Sequence, residues 1–319
     1  MEKYDEFLAS KAIVDQPTGM HISMDAISPV LFDWQRELVR WALERGRAGL
    51  FASTGLGKTL MQCEWARHIE GNVLIFAPLA VTQQTIREAQ SKLQLDIQYV
   101  RTMEQMRERI CISNYDMLEH FIGMENITGI VLDESSCLKS ITAKRRDKLV
   151  KYFTHIPFRL CCSATPAPND IAEIANHAEF LGVMKRTSIL ATFFVHDDAG
   201  WRLRGHARAA FYRWISSWAM ALRSPEDLGF DGSNFLLPPL DTQQHFIATE
   251  WQREGELFQG MGLKGITDRT QVRKQTTTAR CQYAADLIKA SWQHHETTLE
   301  SITRNTESLS SQKPRSELT

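Results

Sequence analysis

The chain has 319 residues, 43% of them hydrophobic, which is enough for one large or two modest domains with a buried core. Its 37 basic and 38 acidic residues leave a net charge of -1, which excludes a globally basic nucleic-acid coat, so any basic surface has to be local. Six cysteines (Cys63, Cys111, Cys137, Cys161, Cys162 and Cys281) lack paired zinc spacing, the start of the chain is charged, and no run nears the ~20 apolar residues of a membrane span; a soluble intracellular protein with buried thiols is expected.

From residue 30 to 165 short apolar runs alternate with amphipathic stretches, the rhythm of parallel strands joined by crossover helices. Strands are expected at 49–52, 73–77, 97–100, 110–113, 129–132 and 158–162, with helices at 33–44, 58–69, 80–93, 115–121 and 143–153. Several of these strands are apolar without alternation, as in a sheet covered on both faces, and in such sheets ligands lie beyond the carboxyl ends of the strands. Past Pro168 the pattern becomes helical, at 171–180 and 208–222, followed by a loop-like stretch over 224–239. Residues 296–319 are rich in Ser, Thr and Glu and are expected to be a disordered tail.

The first run with chemistry in it is Leu50 to Leu60, an apolar strand feeding the turn Ser53, Thr54, Gly55, Leu56, Gly57 and then Lys58 and Thr59. Glycines at 55 and 57 permit positive φ, so successive N–H groups can converge on an anion at the start of a helix. Lys58 would reach the β/γ-phosphates of a nucleotide, and the Thr59 hydroxyl would ligate Mg²⁺. Ala52 stands where the strict pattern has Gly, so the match is to the relaxed form. An ordinary strand, turn and helix with a capping Lys-Thr is the plain alternative.

A second element sits 75 positions after Lys58: Ile130, Val131 and Leu132 run into Asp133 and Glu134. Strand termination would put Asp133 near the metal and Glu134 where it could polarise an attacking water. Paired acids at a strand end are common on surfaces; beside a glycine loop they point to a nucleotide site.

Together these residues resemble helicase superfamily two, and within it the Snf-type DNA-dependent ATPases. Leu31, Gln35, Glu37, Val39 and Trp41 are similar to that family's adenine-recognising motif, which implies that Gln35 reads the base of ATP. Gly55 to Thr59 is similar to motif I; Val73 to Val81, with Pro78, to motif Ia; Ile112 to Leu118, with Tyr115, to motif Ib. The resemblance implies that Pro78 and Tyr115 contact the DNA backbone. Ile130 to Lys139 is similar to motif II, with Ser136 where His is frequent, and Arg159 to Asn169 to motif III, whose Ser163, Ala164 and Thr165 would relay nucleotide state. The family implies an α/β fold, a P-loop RecA-like parallel sheet with helices on both faces, with ATP and Mg²⁺ as cofactors. It also implies DNA, duplex above all, as partner, and the cytoplasm of a bacterial or phage-infected cell as location.

Between Trp201 and Arg223 lie Arg202, Arg204, Arg208, Arg213 and Arg223, with no acid among them, interleaved with Trp201, Phe211, Tyr212, Trp214 and Trp218. The first three arginines are candidates for phosphate contact. Phe211, Trp214 and Trp218 fall at helical spacing and read as core rather than as stacking platform. The stretch also resembles the helical portion of compact phage members of the family. A second basic run, Lys139, Lys144, Arg145, Arg146, Lys148 and Lys151, reads as a solvated face or a nucleic-acid track, and His294 and His295 do not read as metal ligands.

The family closes ATP between two RecA-like lobes, the second contributing arginine fingers, and no second series of strands is legible after residue 240. The expected organisation is an extension over 1–29, a RecA-like ATP-binding lobe over 30–185, a helical subdomain over 186–245, a partial second lobe or linker over 246–295 and a tail over 296–319. The function implied is an ATP-dependent helicase or translocase motor domain with weak hydrolysis of its own, needing a second protein or a missing portion to complete it. The alternative is a non-catalytic DNA- or protein-binding module built on a helicase lobe, such as a phage-encoded regulator of a host target.

Overall fold

The structure, a computed structural model, describes residues 14–140, 143–197, 200–235, 242, 244–247 and 266–292. The chain divides into two units, Met1–Leu237 and Pro238–Thr319.

The first unit is built on a seven-stranded sheet whose neighbouring strands all run parallel, in the order β3-β4-β2-β5-β6-β1-β9. Its strands are β1 (Arg47–Ala52), β2 (Asn72–Ala77), β3 (Gln98–Tyr99), β4 (Ile110–Asn114), β5 (Ile127–Leu132), β6 (Phe158–Cys162) and β9 (Ala219–Leu222). The crossovers include α1 (Asp33–Arg45), α2 (Lys58–His68), α3 (Leu79–Leu93), α4 (Cys137–Ser140) and α5 (Ala143–Phe153), followed by α6 (Ile174–Leu181), α7 (Arg186–Phe193) and α8 (Arg208–Ser216).

Both faces of the sheet are covered, and the alternation within each strand says how. Leu74, Phe76, Ile130, Leu132 and Cys161 point into one core with Phe211, Trp214 and Trp218, while Val73, Ile75, Val131, Leu160 and Cys162 point into another with Leu38, Met61 and Trp65. All of these are buried, which is why the strands read as unbroken apolar runs. The three aromatics assigned to the core by their spacing are therefore there.

Three local expectations are corrected. The helix expected over 208–222 ends at Ser216, and Ala219–Leu222 pairs with β1 instead, Gly49 opposite Ala219. The segment expected as a separate helical subdomain therefore contributes a strand to the main sheet. A two-stranded antiparallel hairpin, β7 (Phe194–Asp197) and β8 (Gly200–Leu203), lies in the same segment. Finally, Tyr115–Phe121 is a 3-10 helix rather than an α-helix, started by the Asn114 side chain accepting from Asp116 N–H at 2.9 Å.

Among its described residues the second unit holds α9 (Ile266–Gln275) and α10 (Thr277–Trp292). Residues 293–319, with His294, His295 and the expected tail, lie outside the described residues. No helix among the described residues is long and apolar enough to cross a membrane.

Candidate nucleotide-binding site

The loop after β1 turns on two glycines. Gly55 has φ +86° and Gly57 has φ +70°, and Gly57 caps α2, so that Lys58 and Thr59 open the helix. Both angles favour a residue without Cβ. Among the described residues the backbone N–H groups of Thr54, Gly55 and Gly57 meet no backbone acceptor, the condition for an anion cradle at a helix start. The Lys58 ammonium folds back onto the loop, donating to Ala52 O at 2.8 Å and Ser53 O at 3.2 Å.

Gln35 braces this loop from behind. It is buried, its Oε1 accepts from Phe32 N–H at 3.0 Å, and its Nε2 donates to Leu56 O at 3.1 Å. The residue expected to read the base is thus held between the start of α1 and the phosphate loop. It keeps one N–H and one lone pair for a further partner.

The acids arrive from β5, at the same end of the sheet. Asp133 N–H donates to Phe76 O at 2.8 Å and Ser135 N–H to Cys162 O at 2.8 Å, which continues β5 between its neighbours before the chain turns. The turn is made by Glu134, whose φ of +50° is unusual for a residue other than glycine. Burial pushes the Asp133 carboxyl up to about 6, with the adjacent Glu134 charge adding to it, against the lowering effects of Gln62, of the Glu134 N–H and of Lys58. Gln62 is fully buried, yet its amide makes no hydrogen bond of good geometry at either end.

Thr54, Gly55, Gly57, Lys58, Thr59, Asp133 and Glu134 line one cleft of about 380 Å³, completed by Val81, Gln84, Thr85 and Glu88 of α3. The glycine loop and the acid pair, 75 positions apart in sequence, are thereby brought together. The donors present, a threonine hydroxyl and carboxylates, suit a hard cation that keeps several waters, as Mg²⁺ does. Among the described residues there is no cluster of three His, Cys, Asp or Glu that could hold a metal by itself.

Behind the acids lies a packed shell that sequence reasoning missed. His177 of α6 is buried, with Nε2 at 3.1 Å from Ser135 Oγ and its ring edge-on to Phe51 of β1. Burial brings its imidazole down to about 4, so it is neutral at physiological pH. Nothing in the sequence separates this histidine from any other on an apolar helix face. Ser163 is buried, its N–H donates to Leu50 O at 3.2 Å and its hydroxyl accepts from Thr165 N–H at 3.1 Å, with Ala164 between them; these three link β6 to the strand that carries the phosphate loop.

The residues expected at nucleic acid are dispersed. Pro78 caps α3, partly exposed beside the exposed Leu79. Tyr115 is half-buried; its hydroxyl donates to Asp133 O at 2.6 Å and its ring stacks on Phe76, so it also supports the acid turn. On the hairpin, Arg202 is exposed but bridged to Asp197 at 3.1 Å. Arg204 reaches Thr192 O at 3.4 Å, and Arg208 lies over the Tyr212 ring, 6.0 Å from its centroid. In the other basic run Lys148 pairs with Glu119 at 2.8 Å and Arg146 with Asp147 at 3.3 Å, while the side chains of Lys139, Lys144 and Arg145 lie outside the described residues.

Comparison with known proteins agrees with this arrangement. Residues 32–174 match the family described as DEAD/DEAH box helicase. Among solved structures the chain is similar to the Sulfolobus solfataricus SWI2/SNF2 ATPase core in complex with dsDNA, at 16% identity and a TM-score of 0.54, covering 64% of this chain and 47% of that one. It is also similar to the UvsW helicase of bacteriophage T4, at 18% identity and a TM-score of 0.41, covering 58% of this chain and 65% of that one. The helicase domain of Pyrococcus furiosus Hef matches at 19% identity and a TM-score of 0.40, covering 51% of this chain and 39% of that one. The chain thus spans about half the length of the Sulfolobus protein, and the likeness at that identity is one of fold. No curated protein sequence matches it.

Proposed function

We propose that this chain, whose residues 32–174 match the DEAD/DEAH box helicase family, carries an ATP-binding lobe of the superfamily-two type, binds ATP with Mg²⁺ and engages DNA as the motor domain of a Snf-type translocase. The observation that carries the reading is the convergence of Lys58, Thr59, Asp133 and Glu134 on one cleft at the carboxyl ends of β1 and β5. The backbone N–H groups of the loop and the Lys58 ammonium would hold the phosphates. Thr59 and Asp133 would hold the metal, which supplies charge neutralisation on the β/γ-oxygens. Glu134, at the sharp turn, would orient and deprotonate the attacking water.

Lys58 is the only cation among the described residues lining the cleft. Transition-state charge on a transferring phosphoryl group is usually met by a further arginine, worth roughly a thousandfold or more in turnover. Hydrolysis by these residues alone would accordingly be slow, and a second protein or lobe that brings an arginine to the cleft would raise it. DNA would be held by Arg204 and Arg208, with Arg202 and Pro78 at its margin, and duplex is the form favoured by analogy with the DNA-bound Sulfolobus core. The work would be done in the cytoplasm of a bacterial or phage-infected cell.

ATP turnover by the purified chain, with and without duplex DNA, tests the proposal. Wild type should turn over slowly and Glu134→Gln more slowly still, with ATP binding retained in both. Equal rates in the two would leave a non-catalytic binding module as the reading.

A further inference from the structure

We infer that Glu64 is the positioning residue for the base end of the bound nucleotide, clamping the segment that carries Phe32 and Gln35 onto the helix that carries Lys58 and Thr59. This rests on the nucleotide reading above and adds a residue that none of the motifs contains.

Glu64 lies on α2, in the second turn after the phosphate loop, and its side chain is fully buried. Burying a carboxylate is costly unless partners meet its charge and its lone pairs. Here Oε1 accepts from Ser28 N–H at 2.8 Å and lies 3.1 Å from His68 Nε2, while Oε2 lies 3.1 Å from Arg67 Nε. Arg67 and His68 are one helical turn away on the same helix, and the Arg67 contact is an ion pair without a hydrogen bond of good geometry. The Ser28 contact is different, because it reaches 36 residues back to the 3-10 helix and turn that lead into α1.

That lead is also held by packing and by one further long side-chain hydrogen bond. Arg36 Nη2 donates to Met24 O at 2.6 Å, and Ile27 and Leu31 are buried beneath it. Beyond Ser28 the chain passes through Pro29 and Val30 to Phe32, whose ring is half exposed and whose N–H is held by Gln35. Gln35 in turn donates to Leu56 O of the phosphate loop. The path from Glu64 therefore closes a ring: α2 to Ser28, along the lead to Phe32, through Gln35, and back to the loop that starts α2. Cutting it at Ser28 frees the base side of the site and leaves the phosphate side, which is fixed by β1 and by the start of α2, in place. Charge alone does not require this geometry, since the Arg67 guanidinium already stands beside the carboxylate.

The consequence is a selective effect on the base. Calorimetric affinities for MgATP and for magnesium inorganic triphosphate should be compared in wild type, Glu64→Met and Glu64→Gln. Wild type should favour ATP. Glu64→Met, which removes the acceptor for Ser28 N–H, should bind triphosphate within about twofold of wild type and lose about tenfold in ATP affinity, the size of one lost buried hydrogen bond. Glu64→Gln keeps an acceptor oxygen and should recover most of the ATP preference, although both variants lose the buried ion pairs and some thermal stability. If Glu64→Met does not fold, Ser28→Pro deletes the same N–H from the other side, and the same loss of preference is expected. A Glu64→Met or Ser28→Pro protein that keeps the ATP preference, or a Glu64→Gln protein that loses it as fully as Glu64→Met, overturns the inference. A wild-type chain that binds triphosphate but shows no preference for ATP overturns it too, while leaving the phosphate cradle standing. Failure of wild type to bind either ligand overturns the nucleotide reading itself.

Discussion

The side-chain amide of Gln35 occupies the space that a Cβ on residue 57 would need: built there, the atom would lie 2.5 Å from Gln35 Nε2. The phosphate loop and the start of α1 are therefore packed to the limit at this point, and Gly57 is required twice, for its φ of +70° and for this clearance.

Gly57→Ala should destabilise the chain by about 1–2 kcal/mol from the left-handed backbone alone, and by more from displacement of Gln35. Adding Gln35→Ala should relieve the second part only. Chemical denaturation of the two single variants and the double is expected to give a double-variant loss smaller than the sum by about 1 kcal/mol. MgATP binding should be weakened in all three.

Asp133 gives a trade of stability against function. Its folded-state pKa, raised to about 6 above the ordinary 3.8, means that the ionised side chain opposes folding above pH 6 and ceases to do so once the carboxyl is protonated in both states, below pH 3.8. Asp133→Asn should therefore stabilise the ligand-free chain at pH 8, by about 2–3 kcal/mol from a shift of this size, with the gain shrinking to nothing near pH 3.5. Denaturation midpoints at the two pH values check it, and Mg²⁺-dependent nucleotide binding should be lost.

His177 titrates in the opposite sense. Its folded-state pKa, brought down to about 4 from 6.5 by burial, means that its contribution to stability is whole above pH 6.5 and is lost as the pH falls toward 4. The stability difference between wild type and His177→Gln should change across that window with a slope approaching about 1.4 kcal/mol per pH unit, and be flat above it. Equilibrium unfolding at half-unit pH steps measures this directly.

For the basic segment, reversing Arg204 and Arg208 to Glu should weaken duplex binding and reduce the salt slope of log K by about 2, if each neutralises one phosphate. Arg202, already paired with Asp197, should matter less. Fluorescence anisotropy over a salt series separates the three.

The strands β1, β2, β4, β5 and β6 were legible because burial on both faces leaves unbroken apolar runs, and the glycine loop and acid pair because their spacing carries the chemistry. β9 was not, because Phe211, Trp214 and Trp218 keep helical spacing up to its edge and Ala219–Leu222 is composed of good helix formers. It becomes a strand through tertiary pairing with β1, information that is absent locally. The hairpin of β7 and β8 escaped for a similar reason, being two four-residue strands of mixed polarity. Around the site, Glu64, Gln62 and His177 are polar residues on helices whose neighbours are apolar; the sequence shows them as interruptions, and only the fold shows what each one faces.

The central claim is that Lys58 and the acid pair grip a nucleotide with its metal. Isothermal titration of MgATP into the wild-type chain, Lys58→Ala and Glu134→Gln tests it most directly. Wild type and Glu134→Gln should bind, and Lys58→Ala should lose at least about tenfold, the scale of one charge-assisted contact. Equal affinity in wild type and Lys58→Ala, or no heat of binding in any of the three, would contradict it.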